Sequence, residues 1–396
     1  IMIQNGITNF VSLLDNIMVG QVGTEQMSGV AIANQLVFIF NLCIFGAVAG
    51  AGILSAQFYG SGNAEGVRDT FRFKLLFGVI LSAIFAVIFL TVGEPLIQQF
   101  IHQGEGIGDL EATRSYGKVY LEVIVIGILP FALTQCYSGT LRETGETVIP
   151  MIGGIIAVCV NLVFNYILIF GKLGAPELGC VGAAIATVLS RFVELAIVAG
   201  WTHKHVARNP FIRGALRSFK IPGSLLKQIV AIGLPLFINE LMWSFGITFM
   251  TQCYSVRGLE VVAAFNIANT ISNVFNVVFL SLGNAVGIII GQMLGAGRLE
   301  EAKREDKQLI AFSVFCCFLT GAMLILLSPL FPRMYNTEEI VKGLATQLIF
   351  ITGCCQPLYG FVHGTYFTLR AGGKSVVTFL FDSTYMWVIP IPIVFA

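Results

Sequence analysis

Five polar side chains stand inside otherwise apolar runs: Asp15, Asn34, Asn161, Asn165 and Thr187. An ionisable group at membrane depth costs roughly 2.5–3.5 kcal/mol on insertion scales, so a lone aspartate there needs a reason. Asp15 lies five positions before Gly20, about 8 Å along a helix that rises 1.5 Å per residue. Asn165 lies six positions before Gly171, with Asn161 one turn deeper on the same face, while Thr187 lies eight positions after Gly179 and Asn34 six after Ser28. Counted this way, all five reach a similar depth and form a candidate polar pocket. A carboxylate among amide and hydroxyl oxygens can hold Na⁺, or it can take up a proton, because burial disfavours the charged form. Either chemistry lets one acid exchange a cation for another solute. Asparagine and threonine also hydrogen-bond between membrane helices for purely structural reasons. Asp15 therefore carries the functional reading, and Asn34 is an auxiliary.

The second half offers fewer candidates. Glu240 lies five residues after Pro235 and is an auxiliary protonatable site or a polar helix contact. Asp382, eight residues past Lys374, is placed to reach water or to pair with Lys374 or Arg370, a structural role. Arg191 and Glu194 are three apart on one helix face and can satisfy one another. Nine cysteines show no CxxC spacing and four histidines form no HExxH, so neither a zinc site nor a disulfide framework is expected. With no P-loop and no GxSxG either, no enzyme activity, ATP-driven step or cofactor is expected. Substrate contacts are not legible among 33 phenylalanines. Trp243, Met242 and Met250 are candidates for which core packing is the commoner role.

The elements that must position these residues are membrane helices. The chain is 56% hydrophobic and 11% charged, with mean hydropathy +0.83, which excludes a water-soluble domain. Apolar runs of spanning length fall at 1–20, 28–58, 71–95, 115–140, 147–170, 179–202, 226–254, 260–292, 308–331, 343–369 and 375–396. The first and last look cut short, so twelve helices are expected in the intact protein. Gly23–Glu65 repeats at Gly258–Glu300 with an offset of 235 and thirteen identical pairs, among them Asn34/Asn269 and Gln57/Gln292. TLRETG at Thr140 is echoed by TLRAGG at Thr368. Repeated halves inside a membrane are a transporter's architecture, with the solute path between them. The expected organisation is an N-lobe over 1–202, a basic cytoplasmic linker over 203–225 and a C-lobe over 226–396. Sixteen of the 23 lysines and arginines fall in one set of loops, which places that set and the chain's N-terminus in the cytoplasm. GAVAGAG at Gly46 and VGAAIAT at Val181 allow close helix approach. Pro130, Pro235, Pro357 and Pro390 favour bends.

Several motifs carry a resemblance over essentially the whole chain: DNIMVG at Asp15, GKLGAPELGCVGAAIAT at Gly171, QFYGSGN at Gln57, QMLGAGR at Gln292 and the two TLRxxG turns. In these the sequence resembles the MATE (multidrug and toxic compound extrusion) transporters. The resemblance implies an all-α polytopic membrane protein with two six-helix lobes that open alternately to the two sides. It also implies a multi-pass inner-membrane antiporter, with no nucleic-acid partner and no oligomer required, that exports organic cations or amphipathic drugs in exchange for H⁺ or Na⁺. The family's first-lobe cation site falls on Asp15, Asn161, Asn165 and Thr187; some members carry Asp where this chain has Asn165. The second-lobe acids of some members fall on Trp243 and Tyr359, so coupling is expected through the first lobe. The alternative is a flippase for lipid-linked oligosaccharides, which needs a basic cavity, whereas Arg191 is the single mid-helix arginine of the spans.

Overall fold

The structure, a computed structural model, describes residues 18, 21–100, 109–255, 259–335 and 337–395. Among these residues the chain is helical, without a strand. The long helices are α1 (Thr24–Gly60), α2 (Ala64–Phe100), α3 (Leu110–Glu143), α4 (Val148–Ile169), α5 (Gly179–Lys204), α6 (Gly223–Ser255), α7 (Leu259–Gly295), α8 (Leu299–Leu327) and α9 (Glu339–Ala371). The final run is broken into α10 (Ser375–Phe379), a π turn (Leu380–Thr384), α11 (Tyr385–Val388) and α12 (Pro390–Phe395). Helix α1 is the second apolar run of the sequence; the first run lies outside the described residues apart from Met18.

Nine of the helical segments among the described residues are long and apolar enough to cross a membrane. Helix α9 is as long as these but interrupts its apolar run with Gln347, Gln356 and His363. Several helices continue past the apolar runs by one or two turns. Helix α2 begins at Ala64 with Glu65, Arg68, Asp69 and Arg72 in its first turns, because a helix end in water tolerates charge that the hydrocarbon does not. Two cations counted with the loop charges are buried in these helices. Lys74 is 1% exposed and paired with Glu143, and Arg370 is 4% exposed and paired with Glu240.

The chain forms two compact units. One gathers the described residues of Ile7–Ser55 and Ala64–Leu226; the other gathers Ala56–Asn63 and the described residues of Lys227–Ala396. The repeat reappears as paired turns. After α1 and after α7 the chain turns at Gly62 and Gly297, both at φ +73. In each turn the residue after the glycine donates back five positions, Asn63 N to Phe58 O and Arg298 N to Met293 O. The turns after α3 and α9 do the same, Glu146 N to Leu141 O and Lys374 N to Leu369 O. This is the left-handed helix stop that glycine makes without a steric cost.

Close crossings set the geometry of the first unit. A Cβ on Gly29 of α1 would lie 2.6 Å from the Thr113 carbonyl of α3, and one on Gly182 of α5 would lie 2.6 Å from the Leu168 carbonyl of α4. Asp109 caps α3, accepting from the backbone of Glu111 and Ala112. The GKLGAPELG turn folds back so that Leu178 N donates to Leu168 O at 2.9 Å. Between these helices Phe40 packs edge-on against Phe85, 5.3 Å between centroids, within an apolar core that includes Ile128, Ala183 and Val188.

Pro130, Pro235 and Pro357 sit inside α3, α6 and α9 without ending them. In the basic stretch after α5, Arg208, Arg213, Arg217 and Lys220 are exposed, but Phe211, Ile212 and Ala215 are buried. Arg72 donates to the carbonyls of Gly214 and Ala215 at 2.9 and 3.0 Å, fastening this stretch to α2.

Candidate cation and substrate site

The first unit brings together the polar residues singled out by depth. Asn165 Nδ2 donates to Asn161 Oδ1 across one turn of α4, and Asn161 Nδ2 donates to Thr187 Oγ1 on α5, both at 3.3 Å. Asn165 is 1% exposed and Asn161 6% exposed. The two asparagines share a face because they are four apart. Thr187 meets them because the Gly182 crossing draws α5 onto α4. Using its amide nitrogen on Asn161 turns the Asn165 carbonyl oxygen away from Asn161. Asn161 thus hydrogen-bonds to both neighbours.

This cluster borders a cavity of about 320 Å³, a size that falls in the range of small-molecule sites. Asn34, Tyr120, Asn165, Thr187 and Arg191 supply its polar wall, and Phe40, Ile124, Ile128 and Phe131 its apolar wall. Asn34 reaches the same cavity without a bond to the asparagine pair; Tyr120 of α3 donates to its Oδ1 at 3.3 Å. Sequence reasoning missed Tyr120, although the depth count that found Asn34 and Thr187 applies to it, ten residues into α3 from Leu110. Asp15, the acid of the expected site, lies outside the described residues.

Arg191 and Glu194 form the expected pair, Nη1 to Oε2 at 3.5 Å. Lys74 makes an ion pair with Glu143 and also donates to Thr140 Oγ1 at 3.1 Å. The Lys74–Glu143 pair is buried, and disrupting a buried pair costs more than forming it gains.

The second unit holds a separate polar network. Arg370 of α9 reaches Glu240 of α6 at 3.4 Å and donates to the Tyr366 hydroxyl at 3.2 Å. Asn239 donates to Tyr366 at 3.1 Å and to Asp382 Oδ2 at 2.8 Å, and Ser383 donates to Asn239 Oδ1 at 2.7 Å. Asp382 is held by Asn239, not by Lys374 or Arg370 as its spacing suggests. The reason is the π turn Leu380–Thr384, which sets both Asp382 and Ser383 against α6. Trp243 is 42% exposed, and the Trp387 ring donates to the Met242 carbonyl at 2.9 Å. Tyr359 packs against Phe279, 5.5 Å between centroids. Among the described residues no three His, Cys, Asp or Glu side chains converge to hold a metal ion.

A sequence model of the MatE family matches residues 1–167 and 235–395. The chain belongs to the MATE family. It is 26% identical over 395 residues to a probable multidrug resistance protein NorM of Thermotoga maritima, covering 99% of this chain and 82% of that protein. It is also 26% identical over 351 residues to the multidrug resistance protein MdtK of Edwardsiella ictaluri, covering 87% of this chain and 74% of the relative. Among solved structures, it superposes on the outward-facing conformation of a multidrug resistance MATE family transporter of the MOP superfamily with a TM-score of 0.88 at 21% identity, covering 99% of this chain and 84% of that one. A MOP superfamily transporter from Pyrococcus furiosus matches with a TM-score of 0.88 at 21% identity, covering 100% and 85%. At that identity the structures speak for the fold alone. The MATE chain is a multi-pass, all-α membrane protein of a family of transporters rather than enzymes.

Proposed function

We propose that this MATE chain is a secondary antiporter that expels drug-like organic compounds from the cytoplasm in exchange for H⁺ or Na⁺. Asp15, Asn161, Asn165 and Thr187 form its coupling site. The observation that carries this reading is the bonded series Asn165–Asn161–Thr187 bordering a ligand-sized cavity. Such an arrangement supplies amide and hydroxyl oxygens to a cation held chiefly by Asp15. The names of the NorM and MdtK relatives support drug export as the task.

In this scheme the Asn34–Tyr120 pair widens the polar rim, and Glu240, engaged by Arg370, is an auxiliary whose role is structural. The basic connector after α5 lies on the cytoplasmic side, as its arginines and lysines dictate. Binding of the coupling cation at Asp15 from outside favours the state that has released drug, and its loss resets the carrier. Only a difference in affinity between the two states can drive that shift. A flippase for lipid-linked diphosphates would need a basic chamber, and the first-unit cavity carries one arginine in its wall.

The test is retention of a fluorescent drug-like dye by cells making the full-length protein, with the proton and sodium gradients collapsed separately. The reading expects dye export that stops when one of the two gradients is removed. Export that survives loss of both, or no export at all, contradicts it.

A further inference from the structure

The wall of the first-unit cavity contains a charge that export of simple cations does not use. Arg191 is one turn beyond Thr187 on α5, and both line the cavity. The Arg191 side chain keeps 35% of its surface exposed, whereas Glu194 is 8% exposed. Their contact, at 3.5 Å and through one nitrogen, is at the edge of hydrogen-bond range.

The guanidinium is held in place as well as exposed. Its carbon lies 4.8 Å from the centre of the Phe131 ring, a cation–π contact that favours this position of the group. Phe131 is also a cavity residue. An arginine beside an aromatic face that lines a cavity is suited to a carboxylate or another anionic oxygen group, which it can grip with two parallel hydrogen bonds. Toward a ligand carrying only positive charge the same group is repulsive, and the low dielectric of the site strengthens that repulsion.

We propose that Arg191 is the specificity-determining residue of this cavity and selects amphoteric aromatic substrates that carry an anionic oxygen group beside their cationic one. The anionic group meets Arg191, the ring system lies along Phe131, and the polar end faces Asn34 and Thr187. The inference rests on the reading of the cavity as the drug chamber and narrows the substrate class within it. The same recognition chemistry would suit the phosphate of an anionic lipid, and the test separates the two.

The experiment measures equilibrium binding to the full-length protein in phosphatidylcholine vesicles. The probes are a zwitterionic xanthene dye and its methyl ester, which differ only in the masked carboxylate. The quantity read is the ratio of the dissociation constant of the zwitterion to that of the ester. In Arg191→Gln this ratio rises about tenfold relative to wild type, the worth of one charge-assisted contact. In Arg191→Lys, which keeps the charge and loses the planar fork, it rises less. An unchanged ratio in both variants, with wild type still binding the ester, overturns the role of Arg191 and leaves the drug-export reading standing. Binding of neither dye by wild type removes that reading as well. A rise seen only when the vesicles contain phosphatidylglycerol assigns the guanidinium to a lipid phosphate and overturns the substrate proposal.

Discussion

Thr187 gives the sharpest residue-scale test, because its hydroxyl is the acceptor that ties α5 to Asn161. Thr187→Ala removes that oxygen, and a hydrogen bond of this kind contributes about 0.5–1.5 kcal/mol net. The ion concentration for half-maximal dye export is expected to rise about two- to tenfold in the alanine variant and to stay near wild type in Thr187→Ser, read by titrating the driving ion in vesicles. Asn165→Asp adds a carboxylate beside Asn161, and in the same assay the half-maximal concentration is expected to fall. A rise there would mean that Asn165 does not face the cation. Asn161, Asn165 and Thr187 were legible because polar residues in apolar runs stand out and their depth can be counted from the turns. Tyr120 was hidden because tyrosine is common in membrane helices, and its bond to Asn34 depends on a packing of α1 against α3 that spacing alone does not reveal.

Helix crossings decide whether those residues meet. Gly182 is the contact point of α5 with α4, and a side chain there would strike the Leu168 carbonyl at 2.6 Å from its first carbon. Overpacking of this kind costs about 1–3 kcal/mol. Gly182→Val is therefore expected to lower the thermal unfolding midpoint in detergent and to abolish ion-driven export together, since it separates Thr187 from Asn161. Arg370 and Glu240 join α9 to α6 in the other unit. Removing one partner of a buried pair costs about 3–5 kcal/mol, more than removing both. Unfolding midpoints should fall in the order wild type, Glu240→Gln/Arg370→Gln double variant, Arg370→Gln single variant. A double variant no more stable than the single one would show that the two do not act as a pair. The apolar runs disclosed most of the long helices. They do not show which cations are buried: Lys74, inside the run at 71–95, and Arg370, just past the run that ends at 369, were both counted with the loops although both are buried. The π turn at Leu380–Thr384 has no signature in hydropathy, and the placement of Asp382 went astray with it.

The repeat was legible at the scale of the whole molecule, because thirteen identities at one offset mark two copies of one helical design. The paired glycine turns at Gly62 and Gly297, and at Gly145 and Gly373, are that repeat expressed in backbone geometry. MATE membership followed from the same motifs, whereas motifs shared by a family do not identify a coupling ion. The first unit carries a polar cluster and the second an arginine-held network. The central claim is that the cation acts through the first. The measurement that tests it most directly is dye transport by the purified full-length protein in vesicles, driven in turn by an imposed proton gradient and an imposed sodium gradient, for wild type and for Asp15→Asn. The account predicts that one gradient drives wild-type transport and that neither drives the variant, while the variant still binds dye. Transport by Asp15→Asn at the wild-type rate under the same gradient would contradict it.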